Sequence, residues 1–256
     1  MDQIPSVLAC DVGNSTVRLA CVQGETIASV QRLGVGELAG LSGALAELWR
    51  QMPQPKKLVA ASVNPPAFRA LEAAAESISE PVLVIGRDLP LPIETDLPHP
   101  GSIGVDRLCC AAAAFDRLGV ACVVADFGTA VTVDCVSEDG VFLGGAILPG
   151  LTMGAESLHA ETAQLPRVTL TEPDWTFGKD TRQAVVGGLI YGARGALREL
   201  VESYATQLGH WPVVVLTGGD AALICKDPNA SGLVQAIVPD LSLRGVAISY
   251  YKSLLK

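Results

Sequence analysis

Two short motifs combine an aspartate, a glycine and hydroxyl side chains, which are residue types that suit phosphate binding. They are Asp11-Val-Gly-Asn-Ser-Thr16 and Asp126-Phe-Gly-Thr-Ala-Val-Thr132. Because glycine has no Cβ, the amides of such a turn can approach phosphate oxygens closely, and neighbouring hydroxyl groups can donate further hydrogen bonds. One Asp-x-Gly is ordinary turn chemistry, but two copies at matching positions favour a phosphate-binding role.

A third candidate is Gly104-Val-Asp-Arg107, at the start of a predicted apolar helix. The helix dipole favours a carboxylate in this first turn and is expected to lower the pKa of Asp106. Arg107 offers a fixed, positively charged fork for a phosphate or a carboxylate. The alternative interpretation is an ordinary acidic first turn beside a surface arginine.

The remaining candidate residues are two glycine-rich turns and three histidines. Thr217-Gly-Gly-Asp220 follows an apolar strand, where small residues let a flat ring lie against the backbone, although such turns also serve packing alone. Gly144-Gly145 and Pro149-Gly150 are interpreted as close packing beneath the site. The three histidines are isolated from one another and from cysteine pairs, so no transition-metal site is expected.

The elements that must position these motifs follow from the pattern of apolar residues, which predicts an α/β chain beginning β-β-α-β-α-β. The strands that flank the two Asp-x-Gly motifs are predicted at residues 6–10, 16–21, 121–125 and 131–136. This repeat predicts two similar lobes, each presenting one hairpin tip to a shared cleft. A boundary in the proline-rich segment 89–100 gives an N-terminal lobe of residues 1–95 and a C-terminal lobe of residues 96–256.

Composition narrows the classes of partner. The 256 residues are 49% hydrophobic and carry a net charge of -9 without a run of Lys or Arg, which argues against nucleic acid or an acidic membrane as partner and favours a small ligand. The seven cysteines, an odd number, are scattered through apolar segments and are expected to be reduced thiols. No basic leader and no apolar run of about 20 residues is found, so a cytoplasmic protein is predicted.

Seven motifs in this order along the chain resemble the type III pantothenate kinases, a family that includes the Bvg accessory factor proteins. The motifs are Asp11-Val-Gly-Asn-Ser15, Gly104-Val-Asp-Arg107, Asp126-Phe-Gly-Thr-Ala130, Gly144-Gly145 with Pro149-Gly150, Thr162-Ala-Gln-Leu-Pro166, Gly178-Lys-Asp-Thr181 and Thr217-Gly-Gly219. The resemblance implies two ribonuclease H-like lobes of the acetate kinase/sugar kinase/actin-like superfamily, with ATP in the cleft between them. It also implies a homodimer that phosphorylates pantothenate to 4'-phosphopantothenate, the first step of coenzyme A synthesis.

The resemblance also assigns roles by position, with MgATP and a monovalent cation, potassium or ammonium, as cofactors. The first phosphate loop comprises Asp11, Val12, Gly13, Asn14, Ser15, Thr16, Val17 and Arg18, and Thr129 is a second ATP contact. The pantothenate contacts are Leu97, Gly104, Val105, Asp106, Arg107 and Thr181. Asp106 has the place of the general base, and Asp126 that of the ligand of the monovalent cation. A hydroxyl is a poor nucleophile at neutral pH, so a carboxylate that takes its proton fits this chemistry.

Three positions depart from the family pattern. Leu97 stands where the family usually has tyrosine, His99 stands where it has asparagine, and Arg18 stands where lysine is frequent. The first two changes fall in the expected pantothenate site, while Arg18 preserves charge with a different geometry. Two other functions therefore stay open: a nucleotide-binding accessory protein without turnover, and a kinase of another small hydroxyl compound.

Overall fold

The structure is a computed structural model that describes residues 4–255, and the chain divides into two compact units. The first unit contains the residues up to Arg117 and those from Asp240 onward, and the second contains Leu118–Pro239. The two lobes expected at 1–95 and 96–256 stay a prediction. The two compact units are divided at other positions along the chain. The helix that carries Asp106 and the helix that follows Asp240 both belong to the first unit.

The first unit is built on a five-stranded sheet with helices on both faces. Its elements are β1 (Ser6–Val12), β2 (Thr16–Gln23), β3 (Thr26–Gly34), α1 (Leu41–Gln51), β4 (Lys56–Ser62), α2 (Pro65–Ala75), β5 (Val82–Val84), β6 (Glu94–Thr95), α3 (Val105–Leu118) and, from the far end of the chain, α8 (Leu241–Ser253). The strand order is β3-β2-β1-β4-β5, antiparallel at β1–β2 and β2–β3 and parallel at β1–β4 and β4–β5.

The central strand β1 explains this layering, because all seven of its residues are buried. Leu8 and Cys10 pack on one face with residues of α1 and α2, and Val7 and Ala9 pack on the other face with residues of α3 and α8. A strand that is covered on both faces is apolar throughout instead of alternating. The β1 run was therefore easily recognised in the sequence.

The sequence did not predict β3. Most of its side chains are at least partly exposed, so it has no alternation of apolar and polar residues to recognise. It follows β2 through a tight turn in which Gly24 has a φ of +56°. The expected order β-β-α-β-α-β is corrected to β-β-β-α-β-α-β.

The second unit repeats the topology of the first. Its elements are β7 (Cys122–Phe127), β8 (Ala130–Val136), β9 (Val141–Pro149), α4 (Leu151–Ala160), α5 (Thr181–Leu208), β10 (Val213–Thr217), α6 (Ala221–Ile224), α7 (Pro228–Ser231) and β11 (Ala236–Ile237). The strands lie in the order β9-β8-β7-β10-β11, which matches β3-β2-β1-β4-β5 strand for strand. The predicted pair of similar α/β lobes is confirmed in its architecture.

The structure also bears on what the composition predicted about the cysteines and about membrane-spanning segments. All seven cysteines are free thiols, and burial raises the pKa of Cys122 to about 12 and that of Cys135 to about 11. Across residues 4–255, the structure has no helix of the length and apolarity that crossing a membrane would require.

Candidate functional site

The tip of the β1–β2 hairpin is held in a fixed shape by its neighbours. The Gly13 N–H donates to the Thr16 carbonyl at 2.9 Å, which closes the turn. From the following crossover, Asn64 Nδ2 donates to the Gly13 carbonyl at 3.2 Å, while its Oδ1 accepts from the Ala67 N–H and so caps α2. The side chains of residues 14–16 are exposed. The tip thus offers hydroxyl and amide groups on a rigid turn, as polyphosphate binding requires.

The carboxylate of Asp11 lies beneath this tip and is almost fully buried, with 2% of the residue exposed. Its Oδ2 is paired with the Arg18 guanidinium across the hairpin, in the register that aligns the two residues on β1 and β2. The same oxygen accepts a hydrogen bond of 2.5 Å from Ser242 Oγ at the start of α8. A buried carboxylate is tolerated only with such partners, so this pair anchors the first loop.

Asp106 lies in the first turn of α3, where the conformation of its side chain depends on Gly104. The Arg107 N–H donates to Asp106 Oδ1 at 2.9 Å, which turns the carboxylate back toward the start of the helix. A Cβ at Gly104 would lie 2.6 Å from that same oxygen. A Cβ at position 104 would therefore displace the Asp106 carboxylate from this orientation.

The prediction that the helix start lowers the pKa of Asp106 is wrong. Burial raises its pKa, and the negative charge of Asp11 raises it further; the hydrogen bond from the Arg107 N–H and the charge of Arg107 oppose these effects without cancelling them. Desolvation thus outweighs the helix dipole at this position.

The second hairpin tip, between β7 and β8, carries Asp126 at the end of β7. The Gly128 N–H donates to the Ala130 carbonyl at 3.2 Å and closes the turn, much as Gly13 closes the first. Gly218 has a φ of +94°, and a Cβ on it would lie 2.5 Å from the Phe127 carbonyl oxygen and closer still to the Asp126 carboxylate. The turn after β10 can approach this tip only because residue 218 is glycine.

Two further contacts surround the same tip. The Asp220 N–H donates to the Phe127 carbonyl at 3.0 Å, and burial raises the pKa of the Asp220 carboxyl. At the start of α4, a Cβ on Gly150 would lie 2.6 Å from the Gly128 carbonyl oxygen. The structure therefore brings together three motifs that the sequence singled out separately: the 126–130 hairpin, Pro149-Gly150 and Thr217-Gly-Gly219.

The other predicted site residues are placed less distinctively. Val12 and Val17 are buried core residues, and Val105 is half-buried at the start of α3. Leu97 is half-buried, with its N–H donating to Thr95 Oγ1 at 3.2 Å, and Thr181 is the exposed first residue of α5. Within residues 4–255, neither Leu97 nor Thr181 forms a hydrogen bond with another predicted site residue.

Three residues that contact the first loop were missed in the sequence: Asn64, Asp240 and Ser242. Asn64 precedes Pro65-Pro66, so the preference of asparagine for the N-cap could have found its helix role but not its bond to Gly13. Asp240 and Ser242 lie more than 220 residues away from Asp11 and Arg18. A pattern of neighbouring residues cannot indicate a contact between positions so far apart along the chain.

The two sheets and the two glycine-bearing hairpin tips define the class of protein, an α/β chain with the actin-like fold. Two solved structures share the fold. A protein from Campylobacter jejuni described as a Baf family transcriptional activator superposes with a TM-score of 0.60 at 20% identity, covering 98% of this chain and 100% of its own. The ethanolamine utilization protein EutJ from Carboxydothermus hydrogenoformans gives 0.56 at 15%, covering 97% and 90%.

The chain belongs to the type III pantothenate kinase family, whose family model matches residues 7–203. A type III pantothenate kinase of Dehalococcoides mccartyi (strain 195) is 32% identical over 252 residues, which is 95% of this chain and 96% of that protein. The corresponding protein of Moorella thermoacetica is 31% identical over 255 residues, 96% of this chain and 99% of its own. The family uses ATP with a divalent metal ion, for which the exposed donors of the first tip are suited.

Proposed function

We propose that this chain transfers the γ-phosphate of ATP to the primary hydroxyl of pantothenate with Asp106 as the general base. The chain is a pantothenate kinase by its family. The observation that carries the role of Asp106 is the carboxylate turned back toward the start of α3 by the Arg107 N–H, in a space kept open by Gly104. A half-buried carboxylate with a raised pKa is better matched to accepting a hydroxyl proton than a solvated one.

The proton moves from the pantothenate hydroxyl to an Asp106 oxygen as the oxygen–phosphorus bond forms. Arg107 orients the substrate through its charged fork, which converts a diffusional encounter into an aligned reaction. Because the hydroxyl proton is lost late in a loose transition state, the position of the hydroxyl matters more than the basicity of Asp106. The proposed pantothenate contacts are Leu97, Gly104, Val105, Asp106, Arg107 and Thr181.

The first hairpin tip is proposed to bind the phosphates of ATP. Support comes from its exposed hydroxyl and amide side chains and from the turn that Asn64 holds in place. The exposed side chains of this tip would hold ATP with its magnesium ion, which would neutralise the charge that develops on ADP as its bond to the γ-phosphorus breaks. The proposed ATP contacts are Asp11, Val12, Gly13, Asn14, Ser15, Thr16, Val17, Arg18 and Thr129.

The test of this function is ADP release by the purified protein supplied with MgATP, with and without pantothenate. Pantothenate-dependent ADP release is the expected result. A folded protein that binds ATP but shows no such turnover would contradict it and leave the accessory-protein function. Turnover with another small alcohol in place of pantothenate would identify the altered-substrate kinase.

Asp126 is proposed as the ligand of a monovalent cation, potassium or ammonium. Its carboxylate lies at the second hairpin tip, beside the turn that contains Gly218. We expect ADP release in potassium to exceed that in sodium, and Asp126→Asn to remove most of this difference because a neutral amide binds a cation more weakly. The measurement is the ratio of kcat in the two salts.

Asp139→Asn is the matched control for this variant. Asp139 is exposed at the opposite end of β8, so its substitution should leave the potassium-to-sodium ratio unchanged. If Asp126→Asn has the same potassium-to-sodium ratio of kcat as the parent protein, Asp126 is not a ligand of the cation.

A homodimer is proposed to form through the second unit. An apolar groove of about 250 Å³ lies among β8, β9, α4 and α5 and is floored by small residues such as Gly188 and Gly192. Large apolar side chains beside it are exposed, namely Ile147 (64%), Met153 (48%) and Tyr191 (43%). Apolar surface of this kind is typical of a protein interface, and small residues let another copy of the chain approach closely.

Ile147→Glu is expected to shift the dimer toward monomer, since it places a charge in an interface that excludes water. Light scattering coupled to size exclusion measures the mass directly. Trp211→Glu, at a side chain that is 52% exposed outside the groove, is the control. A dimer that survives Ile147→Glu but is lost in the control would place the interface elsewhere.

A cytoplasmic location is proposed as well. Support comes from seven free thiols, because oxidising compartments favour disulfides.

A further inference from the structure

A buried polar cluster joins the first loop to the start of α8. Ser242 is 1% exposed, and its Oγ donates to Asp11 Oδ2 at 2.5 Å while accepting from Arg18 Nη2 at 2.9 Å. Arg18 Nη2 is itself paired with Asp11 Oδ2. The three side chains therefore form a closed ring in which each contacts the other two.

The ring fixes the hydroxyl proton of Ser242. A serine hydroxyl has one proton to donate and two lone pairs that accept. Because Arg18 can only donate, the proton of Ser242 must point toward Asp11. The carboxylate oxygen thus accepts from two different directions, which restrains rotation about the Cβ–Cγ bond of Asp11.

Asp240 extends the cluster on the far side of Arg18. Its Oδ1 lies 2.6 Å from Arg32 Nη2 and 3.8 Å from Arg18 Nη1. The residue has a φ of +54°, which turns the chain sharply as α8 begins and brings Ser242 to the hairpin. The guanidinium of Arg18 is therefore held at both of its terminal nitrogens, a two-point hold that a lysine ammonium cannot reproduce.

We propose that Ser242 is a positioning residue for the kinase reaction, which acts by holding Asp11 and Arg18 in the orientation that the ATP phosphates require. This inference rests on the proposed phosphate-binding role of the first loop. Without the hydroxyl, Asp11 Oδ2 retains Arg18 alone and its carboxylate can rotate. Small misplacements of binding groups reduce rates by up to about 10²-fold.

The test compares Ser242→Ala with Ser249→Ala, a matched control on the same helix. Ser249 is fully buried, and its Oγ donates to the Pro90 carbonyl at 2.7 Å, so both variants lose one buried hydroxyl of α8. Ser242→Ala is expected to reduce kcat/KM for MgATP by about 10-fold or more, with KM for pantothenate little changed. Ser249→Ala should lower the melting temperature by a similar amount but leave kcat/KM for MgATP within about twofold of the parent protein.

Ser242→Thr keeps the hydroxyl and should restore most of kcat/KM. Equal kinetic losses in Ser242→Ala and Ser249→Ala would overturn the inference, and so would a folded Ser242→Thr enzyme as slow as Ser242→Ala. If the parent protein lacks pantothenate-dependent turnover, the proposed function fails. The positioning role is then decided by calorimetric affinity for a non-hydrolysable ATP analogue with Mg²⁺, which Ser242→Ala should weaken and Ser249→Ala should not.

Discussion

Replacing Asp106 with asparagine is expected to lower kcat for pantothenate phosphorylation by about 10²–10⁴-fold, the range that removal of a general base produces. Asparagine has nearly the same shape and can still accept from the Arg107 N–H through its Oδ1. It cannot take the proton of the hydroxyl. KM for MgATP should change little, and single-turnover ADP release measures the chemical step.

The variant should not lose activity through unfolding. The pKa of Asp106 is higher in the folded protein than its ordinary value, so ionisation at neutral pH opposes folding, and an uncharged asparagine removes that cost. The melting temperature is therefore expected to stay the same or rise. Asp116→Asn, at an exposed position in the last turn of the same helix, is the control and should retain full activity. A fully active Asp106→Asn enzyme would exclude Asp106 as the general base.

Replacing Gly245 with alanine is expected to lower the free energy of unfolding more than any other substitution described above. Gly245 lies in α8 where it crosses α3, and an added Cβ would come within 2.5 Å of backbone atoms of Cys109. No flexible side chain can move aside, so the helices must separate. Overpacking of this kind costs about 3 kcal/mol or more, which corresponds to a melting temperature lower by roughly 6–12 °C.

Gly43→Ala tests whether this effect comes from the contact rather than from the loss of a glycine. Gly43 lies in α1 of the same unit, is exposed, and has nothing within 4 Å of the position of an added Cβ. Alanine there should stabilise the protein by about 0.5–1 kcal/mol, because it reduces the freedom of the unfolded chain. Thermal unfolding followed by circular dichroism measures whether each variant raises or lowers the melting temperature. Equal changes in Gly245→Ala and Gly43→Ala would contradict the packing argument.

The sequence predicted those features that depend on neighbouring residues. The β1–β2 and β7–β8 hairpins were found because apolar runs flank an Asp-x-Gly turn. The helix α3 was found because a short apolar run, which is buried in the structure from Leu108 to Ala114, follows an acidic helix start at Asp106. Gly13 and Gly128 were predicted to let phosphates approach the backbone, and the turn at Gly218 was predicted to let a flat ring do so. The structure shows in addition that a Cβ on Gly218 would lie 2.5 Å from the Phe127 carbonyl oxygen.

The parts that were not predicted depend on contacts between distant residues. The ring of Asp11, Arg18 and Ser242 joins positions separated by up to 231 residues, so only the fold reveals it. The pKa of Asp106 was predicted in the wrong direction because the dipole can be inferred from a helix start, whereas burial and the charge of Asp11 depend on packing. A residue's place along a helix does not determine its solvent exposure.

The return of α8 to the first unit affects the order in which the chain can mature during synthesis. Domains tend to fold as units while the nascent chain emerges at about 5–20 residues per second. The first unit cannot finish folding in this way, because Ser242 and Gly245 are made only after the entire second unit. Until then the face of β1 that α8 covers is exposed to solvent and Asp11 lacks one of its two partners. The cluster of Asp11, Arg18 and Ser242 is therefore completed only after α8 has emerged from the ribosome, and a stalled nascent chain that ends before Asp240 lacks it.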